Sequence, residues 1–161
     1  MSAPIQVGMA DLKTARAPHS LVTSGLGSCV GVCLWDEVTR VGGMAHVMLP
    51  SDRSGRPGQN PAKFADSGIA LLVTTLLREG ARQERLRAKI AGGAQMFAFA
   101  GQSDIMNIGA RNVAAVEEEL QRRGIRLVAR DTGGNYGRTI VFHLATAALV
   151  VRTIGHGERV I

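Results

Sequence analysis

The strongest strand signal in this chain is Cys29-Val30-Gly31-Val32-Cys33-Leu34-Trp35, which a polar turn joins to a second apolar segment at residues 41–48. Alternation divides the first segment between two faces, with Val30, Val32 and Leu34 on one and Cys29, Gly31, Cys33 and Trp35 on the other. Both faces are largely apolar, which is typical of a strand covered by protein on both sides. The two segments are predicted to form a hairpin whose register the sequence does not determine.

Further strands and two helices are predicted around this hairpin. Extended segments are expected at residues 5–9, 20–23, 86–90, 125–130, 139–144 and 149–153, the last two as a hairpin. Asn60 and Pro61 match the start of a helix that ends at Gly80 and covers a sheet, and a second helix ends at Gly124. Residues 50–59 form a polar, glycine-rich loop that is expected to border the site. Strands outnumber helices, so an α+β fold is predicted.

Length and composition indicate a globular protein of ordinary composition. The chain has 161 residues, 45% hydrophobic and 20% charged, which predicts one globular domain over residues 1–161. The amino terminus lacks a secretory signal and no apolar run could cross a bilayer, so a cytoplasmic protein is expected. A net charge of +6 favours an acidic partner, but basic residues are dispersed and aromatics make up only 4%, so nucleic-acid binding is a minor alternative.

A candidate thiol site lies where flexible backbone meets the first strand. Cys29 follows Gly25 and Gly27, whose backbone freedom is expected to leave the thiol within reach of another molecule. His46, downstream, could stabilise a thiolate as imidazolium and then protonate a poor leaving group such as ammonia. Backbone N–H groups of the bend from Gly27 through Ser28 to Cys29 could receive a developing oxyanion.

The hydroxyl of Thr23, just before the glycines, could orient the imidazole or donate to the substrate. Together these groups predict acyl transfer through a thioester. Their structural interpretations are equally simple, because buried cysteines and hydrogen-bonded histidines are common in protein cores. Cys33 is interpreted as a packing residue, His143 as a strand residue facing a polar layer, and His19 and His156 as solvated loop residues.

Metal and phosphate sites are disfavoured by spacing. A metal site built from Cys29, Cys33, His46 and His143 would need the C-x₃-C pair on a helix or turn, whereas the segment indicates a strand. The glycine pairs of the chain lack the spacing of a phosphate-binding loop or a dinucleotide fingerprint. A metal site and a phosphate-binding loop are therefore not favoured.

Several segments together resemble the chemoreceptor glutamine deamidase family, CheD. Residues 23–32 (Thr-Ser-Gly-Leu-Gly-Ser-Cys-Val-Gly-Val) and 42–50 (Gly-Gly-Met-Ala-His-Val-Met-Leu-Pro) look like the family signature. Residues 63–66, 89–97, 107–112 and 131–135 resemble family segments in the same order, so the resemblance covers nearly the whole chain. Residue 45 is alanine where many relatives carry asparagine, and residues 97–106 look longer than in compact relatives.

The resemblance implies hydrolysis of glutamine side-chain amides on the cytoplasmic helical bundle of methyl-accepting chemoreceptors, with methylesterase activity at the same sites. It assigns the catalytic cysteine, histidine and threonine to Cys29, His46 and Thr23. It also implies a helical layer against two stacked sheets, similar to cytotoxic necrotizing factor-type deamidases, no cofactor or metal, and a CheC-type phosphatase as a partner. The alternative is a non-catalytic module that binds receptors or CheC.

Overall fold

A computed structural model describes residues 3–96 and 107–161, and these ranges contain ten strands and two α-helices. In chain order the elements are β1 (Ile5–Gln6), β2 (Leu12–Arg16), β3 (Ser20–Leu26), β4 (Val30–Asp36), β5 (Val41–Val47), α1 (Ala65–Arg78), β6 (Leu86–Gly92), α2 (Ile108–Arg122), β7 (Arg126–Thr132), β8 (Arg138–His143), β9 (Ala148–Thr153) and β10 (Gly157–Val160). The segment at residues 97–106, which the sequence suggested to be unusually long, lies outside the described residues.

Two mixed sheets form from these strands. The central sheet has the strand order β2-β5-β4-β6-β7, and the outer sheet has the order β1-β3-β8-β9-β10. Most neighbours are antiparallel, whereas β1 with β3 and β6 with β7 are parallel. Both helices contact the central sheet, which the outer sheet covers on its other face. The predicted α+β class, with a helical layer and two stacked sheets, is confirmed.

β4 lies in the middle of the central sheet because its two faces enter different apolar layers. Val30, Val32 and Leu34 pack with the helices, whereas Cys29, Cys33 and Trp35 pack against the outer sheet. Every residue of β4 and β5 is buried. The predicted two-sided strand and its hairpin with β5 are therefore confirmed.

Element boundaries differ from the sequence prediction where polar groups decide them. Asn60 caps a short 3₁₀ turn at Pro61–Lys63, and α1 begins only at Ala65. α2 begins at Ile108, earlier than its apolar pattern indicated, because the Asn107 side chain accepts the backbone N–H of Ala110. Strands β2 and β10 were not predicted, and both are short edge strands that contain charged residues. Neither helix within the described ranges is long and apolar enough to cross a membrane.

Candidate active site

The thiol of Cys29 and the imidazole of His46 leave the central sheet on the face that meets the outer sheet. Cys29 immediately precedes β4, and Gly31, two residues later, is paired with His46 on β5. Residues two apart on a strand share a face, so Cys29 and His46 stand in diagonal positions with Cα atoms about 7–8 Å apart. Cys29 belongs to the inter-sheet core, which agrees with this orientation. The register that the sequence left open thus brings the two residues together.

Thr23 reaches His46 from the outer sheet and determines its tautomer. The Thr23 hydroxyl donates to the Val7 carbonyl at 2.7 Å, and its Oγ1 lies 2.7 Å from His46 Nδ1. A hydroxyl has one hydrogen, and the carbonyl can only accept, so Nδ1 must be the donor to Oγ1. A neutral His46 therefore carries its hydrogen on Nδ1 and an unprotonated lone pair on Nε2. Nε2 is buried and has no hydrogen-bond partner among the described residues.

Burial favours the uncharged forms of both groups. Desolvation raises the pKa of the Cys29 thiol, against which its own backbone N–H acts weakly, and desolvation lowers the pKa of His46 below its ordinary value of 6.5. Burial thus favours a thiol and a neutral imidazole at rest, whereas the sequence suggested that an imidazolium could stabilise a thiolate. The glycines were expected to leave the thiol within reach of another molecule; Cys29 packs in the inter-sheet core and is 7% exposed, so only a small part of it is open to solvent.

The corner at residues 27–29 is held in place by hydrogen bonds to its three successive backbone carbonyls. The Gly27 carbonyl accepts from the Ala94 N–H at 2.8 Å, and the Cys29 carbonyl accepts from the Gly93 N–H at 2.8 Å. Between them, the Ser28 carbonyl accepts from the side-chain amide of Asn112 on α2 at 2.9 Å. Asn112 was not singled out by sequence reasoning, although it lies in a segment that resembles the CheD family. A lone asparagine in an amphipathic helix carries no recognisable signal.

Of the three backbone N–H groups at the same corner, one donates a hydrogen bond within the described part of the protein and two do not. The Gly27 N–H donates to the Gly25 carbonyl at 3.1 Å, in a bend that the positive φ of Gly25 (72°) permits. The N–H groups of Ser28 and Cys29 have no backbone or side-chain carbonyl or carboxylate acceptor within the described part of the chain. Of the three groups that the sequence suggested for an oxyanion, these two remain available.

Two glycines allow the close packing around the corner. A Cβ at Gly92, where φ is 116°, would stand 2.3 Å from the Cys29 carbonyl oxygen, so no side chain fits there. A Cβ at Gly31 would stand 2.5 Å from Cδ1 of Ile140 on the outer sheet. Glycine at these positions lets β6 approach Cys29 and lets the two sheets close over the site.

A basic cavity of about 310 Å³ lies beside the segment that follows β5. Its walls come from the predicted loop and from the start of α2, and they include Arg53, Lys63 and Arg111. Asp52 is the carboxylate among its lining residues, and Ser54 donates to that carboxylate through its backbone N–H and its hydroxyl. The cavity begins at Leu49, three residues after His46. It therefore offers net positive charge to a molecule that approaches this end of the sandwich.

The remaining cysteine and histidines have structural or surface positions. Cys33 is fully buried, and burial raises its pKa far above the ordinary thiol value, which confirms it as a packing residue. His19, His143 and His156 are exposed. Across residues 3–96 and 107–161, no group of three or more histidine, cysteine or acidic side chains is arranged to hold a metal ion.

Comparison with known proteins gives a relationship over the whole chain. The family model described as CheD chemotactic sensory transduction matches residues 48–153. A relative from Syntrophomonas wolfei, named probable chemoreceptor glutamine deamidase CheD, is 57% identical over 161 residues, covering 100% of both chains. The chain belongs to the CheD family. A CheD relative from Desulfitobacterium hafniense with the same name is 58% identical over 161 residues, again covering 100% of both chains.

The relationship to CheD includes the candidate site. The chemoreceptor glutamine deamidase CheD of Halalkalibacterium halodurans is 49% identical over 160 residues, covering 99% of each chain. Thr23, Cys29 and His46 precede the part matched by the family model but lie within the full-length CheD alignments. Among solved structures, the hypothetical protein YfiH of Bacillus licheniformis gives a TM-score of 0.49 at 16% identity, covering 77% of this chain and 51% of that chain.

Proposed function

We propose that this chain is a protein-glutamine deamidase that converts glutamine side chains of chemotaxis receptors to glutamate. The observation that carries the proposal is full-length identity of 57–58% to proteins named probable chemoreceptor glutamine deamidase CheD. Because methyl-accepting receptors expose their helical bundles in the cytoplasm, we infer that the protein acts there. The local geometry supports the chemistry independently, because a thiol, an imidazole with a free lone pair and available N–H groups lie at one corner.

In the proposed mechanism, Cys29 is the nucleophile and His46 moves the proton. As the sulfur attacks the amide carbon, the thiol proton passes to His46 Nε2, the carbon–sulfur bond forms, and an electron pair moves onto the amide oxygen. Collapse of this intermediate breaks the carbon–nitrogen bond, and ammonia leaves with the proton from His46. Water then attacks the thioester with His46 as the base, which releases the glutamate side chain and restores the thiol. Thr23 keeps Nε2 available for all these transfers.

We assign the oxyanion to the N–H groups of Ser28 and Cys29, because the third candidate donor, the Gly27 N–H, already donates to the Gly25 carbonyl. A Cβ at Gly27 would stand 3.1 Å from Cγ of Met96, so glycine here lets the Met96 side chain pack against the corner. The same acyl chemistry would act on a glutamate methyl ester, with methanol as the leaving group, so methylesterase activity is included in the proposal. We also infer kinship of this site with cytotoxic necrotizing factor-type deamidases, and a CheC-type phosphatase as a partner.

The decisive experiment is mass spectrometry of receptor cytoplasmic fragments incubated with the protein. We expect specific glutamine peptides to gain the mass difference between an amide and a carboxylic acid. The gain should disappear with Cys29→Ala and persist with Cys33→Ala, a matched control because Cys33 is the other free cysteine and lies in the same core. Added hydroxylamine should divert a thioester to a hydroxamate. Absence of conversion by the wild type, or equal conversion by Cys29→Ala, would refute the proposal.

The same experiment separates the enzyme from a binding module. Low exposure of Cys29 is the observation that favours a module, because a thiol used only in packing would also be covered. Such a module would bind receptor fragments without converting them, and its effect on chemotaxis in cells would survive Cys29→Ala.

A further inference from the structure

We propose that Asn112 is a positioning residue that fixes the orientation of the Ser28–Cys29 peptide, so that the Cys29 N–H points at the substrate oxygen. The proposal rests on the proposed deamidase function and assigns a role to a residue outside the Cys29, His46 and Thr23 group. Asn112 lies on α2, on the opposite side of the central sheet from the outer sheet. It therefore acts on the site through the backbone and not by contact with the reacting atoms.

The amide of Asn112 joins the two strands that carry Cys29 and His46. Nδ2 donates to the Ser28 carbonyl at 2.9 Å and to the Met48 carbonyl at 2.9 Å. Both partners are carbonyls that can only accept, so the NH₂ end of the amide must face them and both of its hydrogens are used. Ser28 precedes Cys29, and Met48 follows His46 by two residues. One buried side chain thus ties the start of β4 to the end of β5.

The hold on the Ser28 carbonyl also determines where the Cys29 N–H points. Ser28 C=O and Cys29 N–H belong to one planar, trans peptide unit, in which the two bonds point in opposite directions. Because Asn112 draws the carbonyl toward α2, the N–H is directed toward the face that carries the Cys29 side chain. An N–H beside the attacking sulfur is well placed to receive an oxyanion.

The neighbouring carbonyls show why Asn112 is the residue to test. Backbone N–H groups of Ala94 and Gly93 hold the Gly27 and Cys29 carbonyls, and no substitution removes those donors without altering the loop. The middle carbonyl, that of Ser28, is held by a side chain. It is therefore the point at which the direction of one peptide can be altered by a single substitution.

The side chain of Asn112 has a buried amide oxygen without a hydrogen-bond donor in the described part of the chain, a cost that an apolar side chain at this position would not carry. It is fully buried, and its Oδ1 has no hydrogen-bond partner among the described residues. A buried amide oxygen without a donor opposes folding, and such groups are uncommon in native proteins. Retention of the amide is explained if the two donated hydrogen bonds serve the geometry of the corner.

The test compares amide hydrolysis with simple alkylation of the same thiol. Iodoacetamide alkylates Cys29 by displacing iodide, without an oxyanion, whereas deamidation requires one. For Asn112→Leu we expect kcat on a receptor fragment to fall about 10- to 100-fold, by comparison with the loss of an oxyanion donor, with little change in KM. The rate of Cys29 alkylation should change far less than kcat, because the Cys29 N–H makes only the smaller contribution to the pKa of the thiol. Asn112→Ser, whose hydroxyl can hold one carbonyl, should give an intermediate kcat.

Asn60→Leu is the matched control, because Asn60 also makes two hydrogen bonds, to Ala10 and Ala62, but none to the corner. It should change stability and leave kcat near the wild-type value. With ¹⁵N-labelled cysteine, the Cys29 amide resonance should shift in both Asn112 variants while that of Cys33 stays in place. If Asn112→Leu does not fold, Asn112→Ser and the amide resonance decide the question.

Unchanged kcat in the Asn112 variants would overturn the proposal, as would parallel losses of deamidation and alkylation, which would indicate a purely structural role. Failure of the underlying function would look different, since wild-type protein would then not deamidate, or Cys29→Ala would deamidate equally well.

Discussion

Thr23 on the outer sheet and His46 on the central sheet are joined by a 2.7 Å hydrogen bond between Oγ1 and Nδ1. The direction of this bond is fixed, because the hydroxyl hydrogen is already donated to the Val7 carbonyl. The imidazole is consequently oriented by a residue of the other sheet. The chemistry of Nε2 therefore depends on how the two sheets pack, and not on the β4–β5 hairpin alone.

Thr23→Val tests this orientation because it removes the hydroxyl with little change in volume. His46 Nδ1 would lose its buried acceptor, which costs about 1–3 kcal/mol and frees the ring to adopt the other tautomer. We expect kcat to fall about 10-fold or more, in keeping with a weakened general base. Thr23→Ser, which keeps the hydroxyl, should retain most of the activity. Equal kcat for the valine and serine variants in the receptor-fragment assay would contradict the assigned tautomer.

The pH dependence follows from the depressed pKa of His46. Burial lowers this pKa below 6.5, so the neutral base should persist and kcat/KM should hold as the pH falls past 6.5. Stability should behave differently. At a pH between the folded and unfolded pKa values of His46, the imidazole is protonated in the unfolded chain but not in the folded one. The contribution of neutral His46 to the free energy of unfolding is therefore complete above about pH 6.5 and is lost as the pH falls toward the folded pKa. Urea titrations of wild type and His46→Gln should converge as that window is crossed.

Much of the architecture could be predicted from local pattern. The alternation in β4 indicated two apolar faces, and the structure places those faces against the helices and the outer sheet. Edge strands β2 and β10 were not predicted because they are short, contain charged residues and lack an alternating apolar pattern, so that only backbone pairing defines them as strands. Strand pairing is a property of the whole sheet and leaves little trace in a short segment.

The site was predictable in its residue types but not in its electrostatics. The glycines before Cys29 indicated a thiol within reach of another molecule, yet the direction of the side chain just before β4 depends on the register with β5, which the sequence leaves open. Burial then favours neutral forms of Cys29 and His46, a consequence of tertiary packing. Asn112 escaped notice because its partners are backbone carbonyls, which any residue supplies.

Gly31→Ala should show how tightly the sheets close over the site. The added Cβ would stand 2.5 Å from Ile140 Cδ1, and overpacking of this kind costs about 1–3 kcal/mol. Because Gly31 is opposite His46, activity should fall as well. Ile140→Val removes Cδ1, so the double variant should recover part of the loss in a denaturation midpoint. Gly8→Ala, where the new Cβ meets nothing within 4 Å, is the control.

The basic cavity predicts a dependence of substrate affinity on charge. Substitution of both Lys63 and Arg53 by glutamate should raise KM for receptor fragments, because it removes positive charge that attracts an acidic receptor surface. The increase in KM should be smaller at high salt, because salt screens this attraction. kcat should change little, since neither side chain belongs to the Cys29 corner. The same reversals at Arg78 and Arg126, which lie outside that cavity, provide the control. A KM unaffected by the cavity reversals would mean that the receptor docks elsewhere.

Asp131 and Arg138 form an ion pair that should be costly to break from one side. Arg138 Nε donates to Asp131 at 3.0 Å, and both side chains are at least nine-tenths buried. Both Nη atoms of Arg138 are buried without partners among the described residues, so the carboxylate is its main compensation. Asp131→Asn should destabilise the fold by about 3–5 kcal/mol, because it leaves an uncompensated buried charge. Unfolding by urea gives the value.

The double variant Asp131→Asn with Arg138→Met should be more stable than Asp131→Asn alone, because it removes the stranded charge as well. Glu158→Gln is the control, since it breaks an ion pair with Arg152 whose side chains are both at least half exposed and should cost no more than about 1 kcal/mol. Losses of equal size in Asp131→Asn and Glu158→Gln would show that the buried pair is not more important than a surface one.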